Sequence, residues 1–325
     1  MAEVRLWWRM PGEQQVMTLE PAPDGETVFH FAPFVNEPAH PHLEFRGRPV
    51  AAEAPEPGTL RLEPARDLAF QPTSRHEHLQ AIRSGLRAIA RREFEKVVLS
   101  RVQVVSLQHS TPEAAFAAKC TAFPDAFVYL FHHPATGTWT GATPELLLKR
   151  QGEEFETVAL AGTRRTDIRT EWTAKERNEQ AVVTAYIERV LQRVGIREVE
   201  VGTVRDRVYG RIAHLDSQIR FRSQTSLTSL ARSLHPTPAV GGAPLAAALR
   251  FIERTERRSR GYYSGFLGLD APQSGALFVN LRCMHWLAEG VRIHAGGGIV
   301  DGSDPDSEWE ETEAKIASIL TGLAP

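Results

Sequence analysis

The sequence contains very little cysteine. Only Cys120 and Cys283 occur among its 325 residues. Two thiols can pair with each other, but they do not make the disulfide framework on which small secreted domains depend. A reducing compartment is therefore expected, and the cytoplasm is the predicted location.

The sequence also lacks long apolar runs and an excess of charge of either sign. No run approaches the roughly 20 apolar residues of a membrane-spanning helix. The first residues, MAEVRLWWRMPGE, lack the basic flank and apolar core of a signal peptide. The formal net charge is only -2, so no nucleic-acid or membrane partner is expected.

Lysine is scarce as well. Of the 38 lysines and arginines, five are lysine: Lys96, Lys119, Lys149, Lys175 and Lys315. A bias toward arginine codons would explain this without any function. Burial can lower the pKa of a lysine enough to make it a base, whereas arginine stays charged. Lys96 and Lys315 lie in patterned stretches and are the two candidates for such a role.

Hydrophobic periodicity predicts helices and strands throughout the chain after a less regular start. Residues 1–73 are interpreted as edge strands and loops. Helices are predicted at Ser74 to Arg92, from Thr111-Pro112, and at Glu171–Val194, Leu227–Leu234 and Pro244–Arg254. Strands are predicted at Lys96–Val105, Phe127–Phe131, Thr138–Gly141, Glu145–Lys149, Phe155–Leu160, Val199–Arg205, Gln218–Arg222, Tyr263–Leu269 and Ala276–His285. The connections are too short for parallel crossovers, so an antiparallel α+β layered fold is predicted.

The stretch VRIHAGGGIVDGSDPDSEWEETEAK, residues 291–315, is the most densely patterned part of the chain. A short strand, Val291–Ala295, is expected to end in a glycine turn. Ser307 is the predicted cap of the following helix, with Glu310 completing a capping box. No dinucleotide site is predicted, because Asp301 occupies the third glycine position of the fingerprint.

One face of this predicted helix carries two carboxylates and a lysine. Glu308, Glu311 and Lys315 stand at i, i+3 and i+7, which places them side by side. Together with the glycines, they are typical of a site for a metal and an anion. A solvated acidic helix would show the same pattern, and the stretch alone leaves both interpretations open.

Nine stretches taken in order resemble a known family. They are FEKVVLSR (94–101), GATPELLLKR (141–150), ALAGTRRT (159–166), KERNEQAVV (175–183), RIAHLDSQI (211–219), LHPTPAVGGAP (234–244), RGYYSG (260–265), VNLRC (279–283) and HAGGGIVDGSDPDSEWEETEAK (294–315). The chain is similar to the chorismate-utilising enzymes, which include anthranilate, aminodeoxychorismate, isochorismate and salicylate synthases. The resemblance covers roughly residues 75 to 322.

The resemblance implies a fold, a substrate and a cofactor. The expected fold is α+β, with two packed antiparallel β-sheets and helices outside. Residues 1–325 are expected to form one chorismate-binding domain, with shortened N-terminal strands and loops at 1–73 and the catalytic core at 75–322. The implied substrate is chorismate and the implied cofactor is Mg²⁺, which prefers a few carboxylate oxygens and retains several waters.

The resemblance also assigns roles to individual residues. Lys96 falls where water-using members of the family carry a lysine base, and Glu145 falls on the general acid. Their pKa values are expected to be lowered and raised, respectively. The implied metal ligands are Glu179 and Glu311, with Glu308 assisting. The implied substrate-binding residues are Gly162, Thr163, His214, Tyr263, Arg282, Gly296, Gly297 and Lys315.

Taken singly, several of these residues have simpler explanations. A lysine that starts a strand, such as Lys96, is more often a solvated residue at a sheet edge. A lone histidine such as His214 is more often a hydrogen-bonded core residue, and Arg282 could be a surface charge. The order of the nine stretches favours the functional interpretation for Lys96. For His214 and Thr163, a purely structural role remains a serious alternative.

The first hypothesis for function is isochorismate synthase, acting on chorismate with water. Lysine rather than glutamine at position 96 argues against amine transfer, so no glutamine amidotransferase subunit is expected. Two alternatives remain: a salicylate synthase-type lyase that releases pyruvate from isochorismate, and a catalytically inactive chorismate-binding protein. Both menaquinone and siderophore biosynthesis are open as pathways.

Overall fold

The computed structural model describes residues 4–62, 64, 71–107, 110–166, 171–209 and 212–323. Within these ranges, 17 strands and six helices are found. The helices are α1 (Arg75–Ala90), α2 (Pro112–Ala122), α3 (Ala174–Arg193), α4 (Leu227–Leu234), α5 (Leu245–Thr255) and α6 (Pro305–Ile319). No helix in the described part of the chain is long and apolar enough to cross a membrane.

All strand pairs are antiparallel and form two rows. The first row of strands runs in the order β1 (Arg5–Arg9), β6 (Phe127–His133), β7 (Gly137–Thr143), β16 (Cys283–Leu287), β17 (Gly290–Val300), β5 (Lys96–Val105) and β13 (Gly242–Ala243). The second runs β4 (Leu43–Ala51), β3 (Thr27–Ala32), β14 (Phe266–Ala271), β15 (Ser274–Val279), β8 (Leu146–Gln151), β9 (Glu154–Arg165) and β12 (Ile212–Arg222). Strands β10 (Val199–Val201) and β11 (Arg205–Tyr209) pair with β12, and β2 (Met17–Pro21) joins the rows by pairing with β1 and β4.

The two rows pack face to face over an aromatic core. Phe31 of β3 contacts Phe131 of β6, with ring centroids 4.9 Å apart. Phe278 of β15 stacks on Phe127 of β6 at 4.7 Å. These large rings remove apolar surface from water on the inner faces of both rows. The predicted α+β fold of two packed antiparallel sheets is confirmed.

Helix ends follow the capping rules, and most predicted helices are confirmed. Ser74 caps α1 in a full capping box with Glu77, and Thr111 caps α2 ahead of Pro112. The cap of α6 is Asp304, whose side chain accepts from the backbone N–H of Ser307 at 2.9 Å. The predicted Ser307 cap is therefore wrong by three residues, because the helix begins at Pro305, a favoured first helical position.

Five other predictions are corrected by the observed strands. The N-terminal strands are not edge strands, since each of β1 to β4 has neighbours on both sides. The chain from Val199 forms two short strands, β10 and β11, and β12 already begins at Ile212. The predicted strand Ala276–His285 is interrupted between β15 and β16, where Arg282 has a φ of 51°. Tyr263 precedes its strand, in a turn.

Candidate active site

Strand β5 places Lys96 at its first residue, beside β17. The predicted glycine turn is wrong: residues 296–298 continue β17, and Gly298 pairs with Val98 of β5. A Cβ on Gly298 would lie only 3.0 Å from Lys96 Cε, so the glycine makes room for this side chain. The sequence suggested a turn because glycine usually interrupts strands, whereas here it permits a close approach.

Lys96 is buried, with 7% of its surface exposed. Its Nζ lies 3.9 Å from Glu179 Oε2, which is beyond hydrogen-bonding distance. Burial lowers the pKa of Lys96, and the charge of Lys315 adds to this effect, while Glu179, Glu311 and Glu145 oppose it. The direction is the one that a general base requires.

Glu145 precedes β8, and its carbonyl accepts a hydrogen bond from the N–H of Val279. Burial raises the pKa of its carboxyl to about 7, although the positive charges of Lys315, Arg282 and Lys96 oppose the shift. The carboxyl therefore retains a large protonated fraction near neutral pH and can donate a proton.

Helix α6 holds Lys315 and Glu311 over the glycine segment of β17. Lys315 Nζ donates to the carbonyl of Gly296 at 2.7 Å and pairs with Glu311 Oε1 at 2.6 Å. The helix is held against β5 by Arg101, which donates to Thr312 Oγ1 at 2.6 Å. These contacts order a lysine and a carboxylate at the same end of the strand pair as Lys96.

Glu308 lies one turn before Glu311 and is 7% exposed. Its Oε2 would be 3.1 Å from a Cβ on Gly297, so this glycine allows the carboxylate to approach the strand. Three of the predicted carboxylates thus come from two helices, α3 and α6. They are Glu179, Glu308 and Glu311.

These carboxylates are hard oxygen donors and suit Mg²⁺ by their chemistry. Their ligand atoms do not all lie within 4.8 Å of one another, and the one described trio of metal-ligating residues that does is elsewhere in the fold. Glu311 is paired with Lys315, and Glu179 faces Lys96. Mg²⁺ retains several waters, so a few spaced carboxylates fit it better than a closed cage.

Two turns bring Tyr263 and Arg282 to the same region. The backbone N–H of Ser264 donates to the carbonyl of Asn280 at 2.9 Å, and that of Asn280 donates to Gly265 at 2.7 Å. Arg282 lies in the left-handed region, which is costly for a residue with a Cβ and is often found at functional sites. Burial lowers the pKa of Arg282, against the opposing effect of Tyr263.

Tyr263 is positioned by His294 and Gly296 of β17. It stacks on His294 with ring centroids 4.9 Å apart and an interplanar angle of 14°. Its hydroxyl would be 3.3 Å from a Cβ on Gly296. Burial raises the pKa of the Tyr263 phenol to about 12, so the group is a neutral hydrogen-bond donor at pH 7.

His214 of β12 lies across from β9. Its Nδ1 donates to the carbonyl of Gly162 at 2.9 Å. Burial lowers the pKa of His214 to about 4, so the ring is neutral. Gly162 has a φ of 73°, which favours glycine. The side chain of the predicted ligand Thr163 lies outside the described part of the structure.

Two residues that position the site, His294 and Gly298, were not assigned this role from the sequence. His294 was included in a motif but given no role, and Gly298 was expected, with Gly296 and Gly297, to allow a close approach to the backbone but was matched to no partner. Neither carries a local signal, because both act through residues far away in sequence: His294 contacts Tyr263, and Gly298 contacts Lys96. Only strand pairing shows which residue each one faces.

Comparison with known proteins places the chain in a family. The model of the family described as chorismate binding enzyme matches residues 57–324. Isochorismate synthase EntC of Escherichia coli is 32% identical over 244 residues, which are 70% of this chain and 62% of EntC. Isochorismate synthase DhbC of Bacillus subtilis is 31% identical over 276 residues, 76% of this chain and 67% of DhbC. The match thus spans less than two thirds of the length of EntC.

Solved structures agree on the fold. MenF, the menaquinone-specific isochorismate synthase of E. coli, superposes with a TM-score of 0.81 at 22% identity, covering 99% of this chain and 89% of MenF. Anthranilate synthase component I of Streptococcus pneumoniae gives 0.72 at 17% identity, covering 98% and 92%. At these identities the likeness establishes the fold alone.

The packed antiparallel sheets and the buried group of lysines and carboxylates between β5, α3 and α6 define an α+β protein of the chorismate-utilising class. The chain belongs to the chorismate binding enzyme family.

Proposed function

We propose that this protein is an isochorismate synthase, which adds water at C2 of chorismate and expels the C4 hydroxyl. The observation that carries the proposal is the opposite pKa shift of the buried Lys96 and the half-buried Glu145. Water addition with loss of a hydroxyl needs one base and one acid in the same site. The curated relatives named above are isochorismate synthases, which supports this choice over the lyase.

The proposed proton transfers are balanced. Neutral Lys96 takes a proton from the attacking water as its oxygen bonds to C2. Protonated Glu145 gives its proton to the departing C4 hydroxyl, which leaves as water. Lys96 ends protonated and Glu145 ionised, so one proton must return between them, directly or through solvent, before the next turnover.

The remaining predicted residues would bind and orient the substrate. Arg282 offers a bidentate donor pair for one carboxylate of chorismate, and Tyr263 offers a neutral hydroxyl beside it. Lys315 and the backbone of Gly296–Gly297 border the other end of the site. Gly162 and His214 line the opposite strand pair, and Thr163 remains a predicted ligand on sequence grounds.

We also propose that Glu179, Glu308 and Glu311 hold Mg²⁺. When bound, the ion would neutralise the ring carboxylate of chorismate and act there as a Lewis acid. A single domain over residues 1–325, a cytoplasmic location and independence from an amidotransferase also remain proposals.

The test is incubation of the purified protein with chorismate and Mg²⁺, followed by chromatographic separation of the products. Isochorismate as the main product supports the proposal. Salicylate with pyruvate would instead identify the lyase, and tight binding without turnover would identify an inactive binding protein.

Glu179→Ala tests the metal proposal. Mg²⁺-dependent turnover should be abolished while the circular dichroism spectrum stays unchanged. Glu188→Ala, which removes a half-buried carboxylate of the same helix α3, is the matched control and should keep its rate. A Glu179→Ala variant with a near-normal rate at the same Mg²⁺ concentration contradicts the assignment.

A further inference from the structure

A second polar cluster lies on β3 and β4, among residues that the proposed reaction does not use. His30 of β3 is directly opposite Glu44 of β4 in the antiparallel pairing. His42 immediately precedes β4, two residues before Glu44, and in an extended chain residues two apart have their side chains on the same side of the backbone. One ligand atom from each of these three residues lies within 4.8 Å of the others.

The separations in this cluster suit a tetrahedral metal ion. His30 Nδ1 is 3.1 Å from His42 Nε2 and 3.6 Å from Glu44 Oε1. Nitrogen and oxygen ligands sit about 2.0–2.2 Å from zinc, so tetrahedral angles place two of them roughly 3.3–3.5 Å apart. The observed distances bracket that range without any backbone movement.

Hydrogen bonds fix how the His30 ring is protonated. Its Nε2 faces Thr228 Oγ1 at 3.2 Å, and the Thr228 hydroxyl donates to Asp270 Oδ2 at 3.2 Å. Nε2 therefore carries the proton, and Nδ1 turns its lone pair toward the cluster. A ring with its proton on Nε2 alone is the neutral form that binds metals.

His42 is held differently. Arg232 Nη2 lies 2.9 Å from His42 Nδ1, and a guanidinium can only donate. His42 Nδ1 is thus the acceptor and its Nε2–H points at His30 Nδ1. To bind a metal through Nε2, the ring must move its proton to Nδ1, and Arg232 must withdraw. Arg232 also pairs with Glu44 Oε1 at 3.8 Å, so metal binding must displace it from both residues, and its side chain, 59% exposed, can turn into solvent.

We propose that His30 Nδ1, His42 Nε2 and Glu44 Oε1 bind a divalent transition-metal ion of the zinc type. Two imidazoles and one carboxylate favour zinc over magnesium, which prefers oxygen alone. Thr228, with Asp270 behind it, forms the outer hydrogen bond that orients a ligating imidazole. Water takes the fourth position, because the Glu44 side chain is 52% exposed.

The experiment measures zinc bound by the chelator-treated full chain after equilibrium dialysis against zinc chloride with excess Mg²⁺. The unmodified chain should bind one more zinc ion than His42→Ala or Glu44→Gln. Cobalt(II) in its place should give the intense visible absorption of a tetrahedral site. Two matched controls should keep the extra zinc: His76→Ala, an exposed histidine of α1, and Glu179→Gln in the candidate active site.

Two further variants should change the zinc affinity in opposite directions. Thr228→Val removes the outer hydrogen bond and should weaken zinc binding about 10–100-fold. Arg232→Gln frees His42 Nδ1 and should strengthen it. Equal zinc content and affinity in the unmodified chain, His42→Ala and Glu44→Gln overturn the proposal, as does loss of the extra zinc in Glu179→Gln alone.

Discussion

Two charged pairs adjoin β5, and the pKa of the basic residue is raised in one pair and lowered in the other. Near the middle of the strand, Glu256 accepts from the backbone N–H of Ser100 at 2.6 Å and from Arg260 Nη2 at 2.6 Å. Arg260 also donates to the carbonyls of Val98 and Val240 at 2.7 and 2.8 Å. Both side chains are almost fully buried, at 8% and 2% exposure.

At the start of the same strand, Lys96 is buried and faces Glu179, with its Nζ 3.9 Å from Oε2, which is too far for a hydrogen bond. Burial would lower the pKa of Arg260, but its ion pair with Glu256 outweighs burial and raises it. For Lys96, burial prevails and its pKa falls. Hydrogen bonding therefore decides how a buried charge behaves: the hydrogen-bonded Arg260 keeps its proton more firmly, whereas the pKa of Lys96 is lowered.

The largest expected effect is on turnover, at Lys96. Lys96→Gln should lower kcat by about 10²–10⁴-fold, as for the loss of a general base. Lys96→Arg should be nearly as inactive, because a guanidinium stays charged. Calorimetric titration should find chorismate binding nearly unchanged in both variants. If Lys96→Arg keeps most of the rate, position 96 supplies only positive charge and water activation must be abandoned.

The next largest effect is on stability, at the hydrogen-bonded pair of Arg260 and Glu256. Glu256→Ala leaves the Arg260 guanidinium buried without its partner, and it should lower the free energy of unfolding by about 3–5 kcal/mol. Guanidinium chloride unfolding measures the change. Glu253→Ala, an exposed carboxylate on the same helix, should leave the midpoint unchanged. A small loss for Glu256→Ala would mean that water reaches the Arg260 site.

A smaller effect of opposite sign is expected at Glu145. Its pKa is raised to about 7 in the folded chain from 4.5, so its stabilising contribution is full below about 4.5 and is lost as the pH rises through 7. The glutamine of Glu145→Gln cannot ionise. At pH 8 the free energy of unfolding of this variant should therefore exceed that of the unmodified chain by up to about 3 kcal/mol. At pH 4 the two chains should be alike, and a constant difference at both pH values would contradict the shift.

The smallest effect concerns the pH profile of the unmodified protein. The proposed acid must be protonated, so kcat/KM should fall about tenfold per pH unit above the pKa of Glu145, near 7. The proposed base must be neutral, so the rate should also fall at low pH as Lys96 gains a proton. A rate that keeps rising to about pH 9 would exclude Glu145 as the acid.

The sequence predicted much of the local structure because local rules act there. Ser74 with Glu77, and Thr111 with Pro112, set helix starts through neighbours a few residues away. The bounds of β5 and α4 were predicted as they are found. The residues gathered around Lys96 were foreseen through family resemblance, while their catalytic roles remain predictions.

Local rules failed where a distant partner decides the conformation. Three consecutive glycines favour a turn, yet pairing with β5 holds Gly296–Gly298 extended. Arg282 was expected along a strand, but the contact between the Ser264 and Asn280 turns accompanies a left-handed conformation there. The N-terminal strands lack strong patterns, and only their partners β6 and β14 place them inside the sheets.

The sequence by itself determined which charged residues the chain possesses and on which strand or helix most of them lie. Tertiary structure decided their chemistry. Lys96 and Glu179 are 83 positions apart in the chain, and folding brings their charged atoms to 3.9 Å. The pKa of Lys96 falls and that of Arg260 rises because burial and hydrogen bonding depend on what surrounds a side chain in space, and a linear sequence does not contain that information.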